Sequence, residues 1–318
     1  MNTFAYSVIK IPKMENEFKK IGCFVQSAFD KLKKSGDTVD GISGIPSGFK
    51  DLDKITSGWQ NGDLIAIGGR PGIGKTSFVL SMIKNMVVEN KIPVILFSPC
   101  MSPQNVINSI LSNMCSIPND SFLSGMLKPY EWNLIEKGIE ILKECNLLID
   151  STPILKIDNL CEKAKEGVTK HGAKIIFIDY LQLLYQEAKY SENRYLELNY
   201  FTRRLKSLAR ELNVPVIITS QLNRDIEKRD EYYMKRPQLT DFRDSGTICD
   251  DCDIALFIYR PEFYQIYFDD RGNDMRGVAE IILGKHRNGA LIDVLLEFHG
   301  EFKRFNNINT VSYTHLRA

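Results

Sequence analysis

No stretch of this chain approaches the ~20 consecutive apolar residues that a membrane span needs, so no membrane protein is expected. A secretory leader is also missing: Lys10, Lys13, Glu15 and Glu17 stand where its apolar stretch would lie. Histidine is scarce, at 4, and the 7 cysteines are odd in number without framework spacing. That excludes a disulfide-stapled scaffold and points to a reducing cytoplasm. The lone Cys-x-x-Cys, Cys249-Asp250-Asp251-Cys252, has no second pair, and Cys161 and His286 are isolated, so four zinc ligands are not assembled. Excess charge of one sign is absent as well: 41 Lys+Arg face 40 Asp+Glu, a formal net charge of +1. A protein that coats nucleic acid by bulk positive charge is thereby excluded, and any such site must be local. Internal repeats and low-complexity tracts are lacking too.

What is present is an ordinary globular composition, 43% hydrophobic and 25% charged over 318 residues. Residues 1–40 are polar, with one helical spacing at Phe24, Val25, Ala28, Phe29 and Leu32; they read as a linker or arm. Gly41, Gly44, Pro46 and Gly48 then punctuate the start of a domain running from 41 to 306. Within it, apolar runs at Leu64–Ile67, Val94–Phe97, Leu147–Ile149, Ile175–Ile178, Val216–Thr219, Ile254–Tyr259, Ala279–Leu283 and Leu291–Phe298 read as strands. Helical patterns at Thr76–Val88, Glu131–Lys143 and Arg194–Leu212 separate several of them. Near-continuous apolar strands alternating with helices predict an α/β fold: a mostly parallel twisted sheet with helices on both faces. The last two runs, joined at Asn288-Gly289, predict an antiparallel edge hairpin.

The strongest chemical signal is Gly69-Arg70-Pro71-Gly72-Ile73-Gly74-Lys75-Thr76, a complete G-x-x-x-x-G-K-T after a strand and before a helix. Its glycines let the backbone wrap phosphate closely, with N–H groups and a helix N-terminus aimed at the anion. Lys75 would reach the β- and γ-phosphates of ATP, and the Thr76 hydroxyl would ligate Mg²⁺. Asp179 closes the apolar run Ile175-Ile176-Phe177-Ile178 and supplies the acid that holds Mg²⁺ through water. Gln221 ends the run from Val216, where a parallel sheet presents ligands, and is placed to sense the γ-phosphate.

These residues, with Gly44-Ile45-Pro46-Ser47-Gly48-Phe49, Asp179-Tyr180-Leu181-Gln182-Leu183, Ser220-Gln221-Leu222-Asn223-Arg224, Arg260-Pro261-Glu262 and Lys285-His286-Arg287-Asn288-Gly289, resemble the ATPase domain of DnaB-type replicative helicases. The resemblance implies a RecA-like P-loop NTPase fold and an ATP-dependent motor acting on single-stranded DNA as a homo-oligomeric, hexameric ring. It implies that Lys285 and Arg287 reach the γ-phosphate held by a neighbouring subunit, stabilising charge in trans. It also implies that Arg243, Asp244, Ser245 and Gly246 grip the DNA backbone, with Asp244 where the family has Glu. Two alternatives stay open: a RecA-related recombination or repair ATPase, and a non-hydrolysing ATP-binding scaffold.

Two departures stand out. The family's Phe-Ser-Leu-Glu-Met string, with its catalytic Glu, reads Phe97-Ser98-Pro99-Cys100-Met101 here, and no acid follows before Ser112. General-base catalysis is typically worth ~10²–10⁴-fold, so impaired hydrolysis is expected with binding retained. Residues 1–40 also cannot encode the helical N-terminal domain that organises such rings and meets primase, although the Phe24–Leu32 segment resembles the linker helix that docks on an adjacent subunit. At the other end, residues 307–318 read as a tail, and Val311 to Ala318 resemble a translated sequencing adapter rather than protein.

Overall fold

The computed structural model describes residues 20–36, 41–186, 194–229, 235–242 and 246–308. It divides into two compact units, 1–41 and 42–318. In the first, α1 (Gly22–Gly36) carries Phe24, Val25 and Phe29 with their side chains exposed.

The second unit opens with α2 (Lys50–Thr56), β1 (Leu64–Gly69) and α3 (Lys75–Lys84), followed by β2 (Val94–Phe97), α4 (Pro103–Cys115), α5 (Asn119–Ser124) and α6 (Pro129–Lys143). Next come β3 (Leu147–Asp150), β4 (Leu155–Lys156), α7 (Ile157–His171), β5 (Ile175–Ile178), β6 (Leu184–Tyr185) and α8 (Arg194–Leu212). The chain ends with β7 (Val216–Gln221), α9 (Gly246–Asp251), β8 (Ile254–Tyr259), β9 (Val278–His286), β10 (Val294–His299) and β11 (Arg304–Asn307).

Nine strands form one sheet in the order β11-β10-β9-β8-β1-β7-β5-β2-β3. The six from β8 to β3 are parallel, and β9, β10 and β11 add antiparallel strands at one edge. Because side chains alternate along a strand, the apolar runs fill two cores. Leu64 and Ala66 of β1 join Ile176, Ile178, Val216 and Ile218 against α7 and α8. Ile65 and Ile67 join Ile175, Phe177 and Ile217 against α3 and α4. Polar substitutions on either face of these strands would therefore meet a core, which explains why the runs are continuous rather than alternating.

The structure refines three expectations from the sequence. The helical stretch expected over Thr76–Val88 is present, α-helical to Lys84 and closing in a π-helical turn at Asn85–Glu89, where buried Asn85 donates to the Ser47 carbonyl at 3.4 Å. The expected antiparallel edge hairpin is formed by β9 and β10, and β11 pairs with β10 to extend it to three strands. The turn at Asn288-Gly289 lies in a longer link, residues 287–293, and Leu291 and Ile292, expected in the strand, are exposed in that link. Helix α4, not singled out above, buries Val106, Ile110 and Leu111 at helical spacing, and its start is marked by capping: the Ser102 hydroxyl accepts from the Asn105 N–H at 3.2 Å and Pro103 opens the first turn.

Candidate functional site

Residues 70–74 leave the carboxyl end of β1 and turn directly into α3. The loop needs backbone conformations that L side chains rarely adopt, and glycines stand at those points: Gly72 has φ +77° and Gly74 φ +111°. Ile73, between them, is buried and pins the loop to the core that lies under α3. The first N–H groups of α3 lack intrahelical partners by construction, so with the loop they form an anion-directed cradle.

Lys75 folds back over this loop, donating from Nζ to the carbonyls of Gly69 at 2.9 Å and Arg70 at 3.0 Å. Burial pushes its pKa down to about 8, with Arg70 adding to the depression and the Asp179 charge opposing it. Arg70 itself turns away: Nε is 2.8 Å from Glu227 Oε1 and Nη1 donates to Leu222 O at 3.0 Å. What Arg70 offers an anion is therefore main chain rather than guanidinium.

Asp179 follows β5, buried, and its carboxylate accepts the Thr76 hydroxyl on Oδ2 at 2.7 Å and the Thr219 hydroxyl on Oδ1 at 2.5 Å. Thr76 and Asp179, 103 residues apart in sequence, thus share a hydrogen bond. Sequence reasoning misses Thr219 because a threonine within an apolar run carries no motif. It misses Gln182 as well, which donates to Ser220 Oγ at 2.8 Å and accepts from the Gln221 N–H at 3.4 Å, tying the turn after β5 to the end of β7. Gln221 is the last residue of β7, half-buried at the same sheet edge.

Cys100 lies in the turn after β2 and is exposed; its thiol is 3.6 Å from the Asp179 carbonyl oxygen. Burial of the sulfur and the Asp179 charge both push its pKa up, against a lowering contact from Ser98. The thiol therefore stays protonated at neutral pH and offers no base. Cys249 and Cys252 are free, with pKa values pushed up by burial to about 11 and about 12, as expected of thiols packed as small apolar groups.

The remaining predicted residues lie elsewhere. Lys285 pairs in register with Ala255, at the start of β8, so it sits at the amino edge of the parallel strands. Its Nζ donates to the Cys249 carbonyl and, at 3.3 Å, to the Asp250 carbonyl. Arg287 Nη2 donates to the same Asp250 carbonyl at 2.9 Å, and Nη1 is 3.3 Å from Asp253 Oδ1. A strand of six residues spans ~17–20 Å, so this pair is held a full strand length from the chain's own phosphate loop. Arg243, Asp244 and Ser245 lie outside the described residues; Gly246 begins α9.

The donor set can be judged for Mg²⁺. Among the described residues no group of three or more His, Cys, Asp or Glu could hold a metal ion. A hydroxyl and one carboxylate are all hard oxygens, and they suit a cation bound through one or two protein ligands with phosphate and water completing its shell. No helix among the described residues is long and apolar enough to cross a membrane.

A glycine-rich phosphate loop on a central parallel strand, with a buried Asp two strands away bonded to the loop's Thr, defines the RecA-like class of P-loop NTPase domains. The chain belongs to the DnaB-like helicase C terminal domain family, whose model matches residues 44–307. It is 35% identical over 296 residues to the replicative DNA helicase DnaB of Geobacillus stearothermophilus, covering 93% of this chain and 63% of that protein. Against the Haemophilus influenzae replicative helicase the identity is 39% over 271 residues, 84% of this chain and 56% of the relative. The chain thus spans less than two thirds of the length of these relatives. Among solved structures, one of an isolated ATPase domain superposes with a TM-score of 0.83 at 30% identity, covering 92% of this chain and 100% of that one. A DnaB-like replicative helicase described with its interactions with primase gives 0.79 at 30% identity, over 92% of this chain and 68% of that one. The recombination or repair alternative finds no support in these relatives.

Proposed function

We propose that this chain is the motor domain of a replicative-type DNA helicase, in which ATP is bound at one sheet edge and completed by cations from a neighbouring copy in a ring, on single-stranded DNA. The observation that carries this reading is the separation of the site's two halves. Lys75, Thr76 and Asp179 gather at the carboxyl edge of the parallel strands, whereas Lys285 and Arg287 are held at the amino edge. Cations so placed serve a phosphate on another copy far better than one on their own chain.

In this reading the loop from Gly69 to Thr76 takes the phosphates on its N–H groups, and Lys75 exchanges two carbonyl partners for phosphate oxygens. Thr76 and Asp179 would hold Mg²⁺, which when bound neutralises charge on the β- and γ-oxygens. Thr219 fixes the Asp179 carboxylate, while Gln182 holds the backbone of Gln221, which senses the γ-phosphate. Lys285 and Arg287 of the next copy stabilise charge on the transferring group. Arg243 to Gly246 contact the DNA backbone in a sequence-independent manner. Water activation is the weak step, because the protonated Cys100 occupies the position of the family's carboxylate; hydrolysis is slow while binding is intact. The unpaired cysteines suit work in a reducing cytoplasm.

Mixing a Lys75→Ala chain with an Arg287→Ala chain tests the reading. Each alone should be inactive in single-stranded-DNA-stimulated ATP hydrolysis, and the mixture should recover activity, since a wild-type loop can then face a wild-type Arg287. Failure to recover in assemblies shown to be mixed would overturn a shared site, and full activity of Lys75→Ala alone would overturn the phosphate loop.

A further inference from the structure

The corner that holds Lys285 and Arg287 contains a buried carboxylate that no step above uses. Asp253, between α9 and β8, is 5% exposed. It is tied to β1 in both directions: its N–H donates to Leu64 O at 2.9 Å, and its Oδ2 accepts the Leu64 N–H at 2.8 Å. The same carboxylate then meets two cations, Lys206 Nζ on Oδ2 at 2.5 Å and Arg287 Nη1 on Oδ1 at 3.3 Å. The Arg287 N–H also donates to the Asp253 carbonyl at 3.0 Å. Lys206 in turn donates to Gly62 O at 2.8 Å, and the last turn of α9 takes the other donors of Arg287 and Lys285 on the Asp250 and Cys249 carbonyls.

An arginine side chain has many rotamers, and a cation that acts on a phosphoryl group does so best when its orientation is set beforehand. Asp253 and the α9 carbonyls supply that orientation from a rigid element, the amino end of β1. Charge matters as well. One carboxylate shared between Lys206 and Arg287 cannot neutralise both, so the corner keeps positive charge for an anion. Asn61, Asp63, Lys206, Arg210, Asn213 and Arg287 line a polar recess of about 380 Å³ at this edge, where three cations outnumber the Asp63 carboxylate and a phosphate could approach.

We propose that Asp253, balanced by Lys206, is a positioning residue that aims Arg287 at the phosphate carried by a neighbouring copy. This rests on the trans reading of Arg287 given above. The test compares kcat and KM for Mg·ATP, with single-stranded DNA, in Asp253→Asn, Lys206→Met, Arg287→Ala and their pairs, in the wild-type chain and in a Cys100→Glu chain with a larger signal. Asp253→Asn should lower kcat by about 10–100-fold, the cost of a small misplacement, with KM within about threefold and oligomer size unchanged. Asp253→Asn combined with Arg287→Ala should be no slower than Arg287→Ala alone. Losses that multiply, or an unchanged kcat in soluble Asp253→Asn, overturn the positioning role. If Asp253→Asn does not fold, Lys206→Met makes the same comparison from the other side of the carboxylate: a loss absorbed by Arg287→Ala supports the role, and an independent or absent loss overturns it. Full activity of Arg287→Ala removes the trans reading itself and the positioning role with it, an outcome distinct from a failure at Asp253 alone.

Discussion

The two edges of the parallel sheet are built on different plans. At the carboxyl edge, one short segment of consecutive residues forms a cradle from backbone, with glycines at φ +77° and +111° where side chains would strain it. At the amino edge, side-chain cations from β9 and the residue just past it are clamped by carbonyls of α9 and by a carboxylate before β8 that also accepts from a lysine on α8. The first plan gathers backbone N–H dipoles around one point; the second clamps cationic side chains on carbonyls and a carboxylate. On the proposed reading, a site shared between copies pairs an acceptor loop on one with a preset donor on the other.

Four experiments test this contrast. The largest effect belongs to Lys75→Ala: ATP hydrolysis should fall to background, because the cradle loses the cation that reaches over it, as read by phosphate release under single-stranded DNA. Next, Arg287→Ala should reduce kcat by about 10³-fold, typical of an arginine acting in trans, with fluorescent-nucleotide affinity within about threefold. A comparable loss of affinity would mean that the amino edge contributes to ground-state binding and that the contrast is overdrawn. Third, Cys100→Glu should raise turnover by about 10²-fold by restoring a base beside Asp179. Wild-type turnover within tenfold of that variant would show that the carboxylate is dispensable here.

The smallest effect is a titration. Before nucleotide binds, Lys75 titrates near 8 in the folded chain and near 10.5 unfolded. Between those values the unfolded chain holds the extra proton, so this residue's destabilising contribution, full below about pH 8, is relieved as pH rises through the window. Phosphate favours the charged form, so binding at pH 8 should take up roughly half a proton. Calorimetry in buffers of different ionisation enthalpy should detect it, and Lys75→Met should abolish it.

Legibility in the sequence tracks how local each feature is. The phosphate loop and the strand ending in Asp179 are readable because each is a contiguous pattern with a physical reason for every residue. The central strands are readable because burial on both faces demands apolar runs. β11 is not: Arg304-Phe305-Asn306-Asn307 has one buried apolar residue, Phe305, packed against Phe78 and Phe298, and only its pairing with β10 makes it a strand. Thr219, Gln182 and Asp253 escape for the same reason, since each acquires its meaning from partners brought by other strands.

Short-range periodicity and backbone freedom are enough to specify an α/β sheet with a glycine-rich loop after one strand and an acid at the end of another. Near-neutral charge and scattered cysteines likewise excluded stapled or coating proteins without any coordinates. Long-range packing is what brings the Thr76 and Thr219 hydroxyls to Asp179, turns Arg70 to Glu227, and holds Lys285 and Arg287 at the opposite edge from their own loop. Strand order and direction set those relations, and they depend on long-range pairing that a local pattern does not encode.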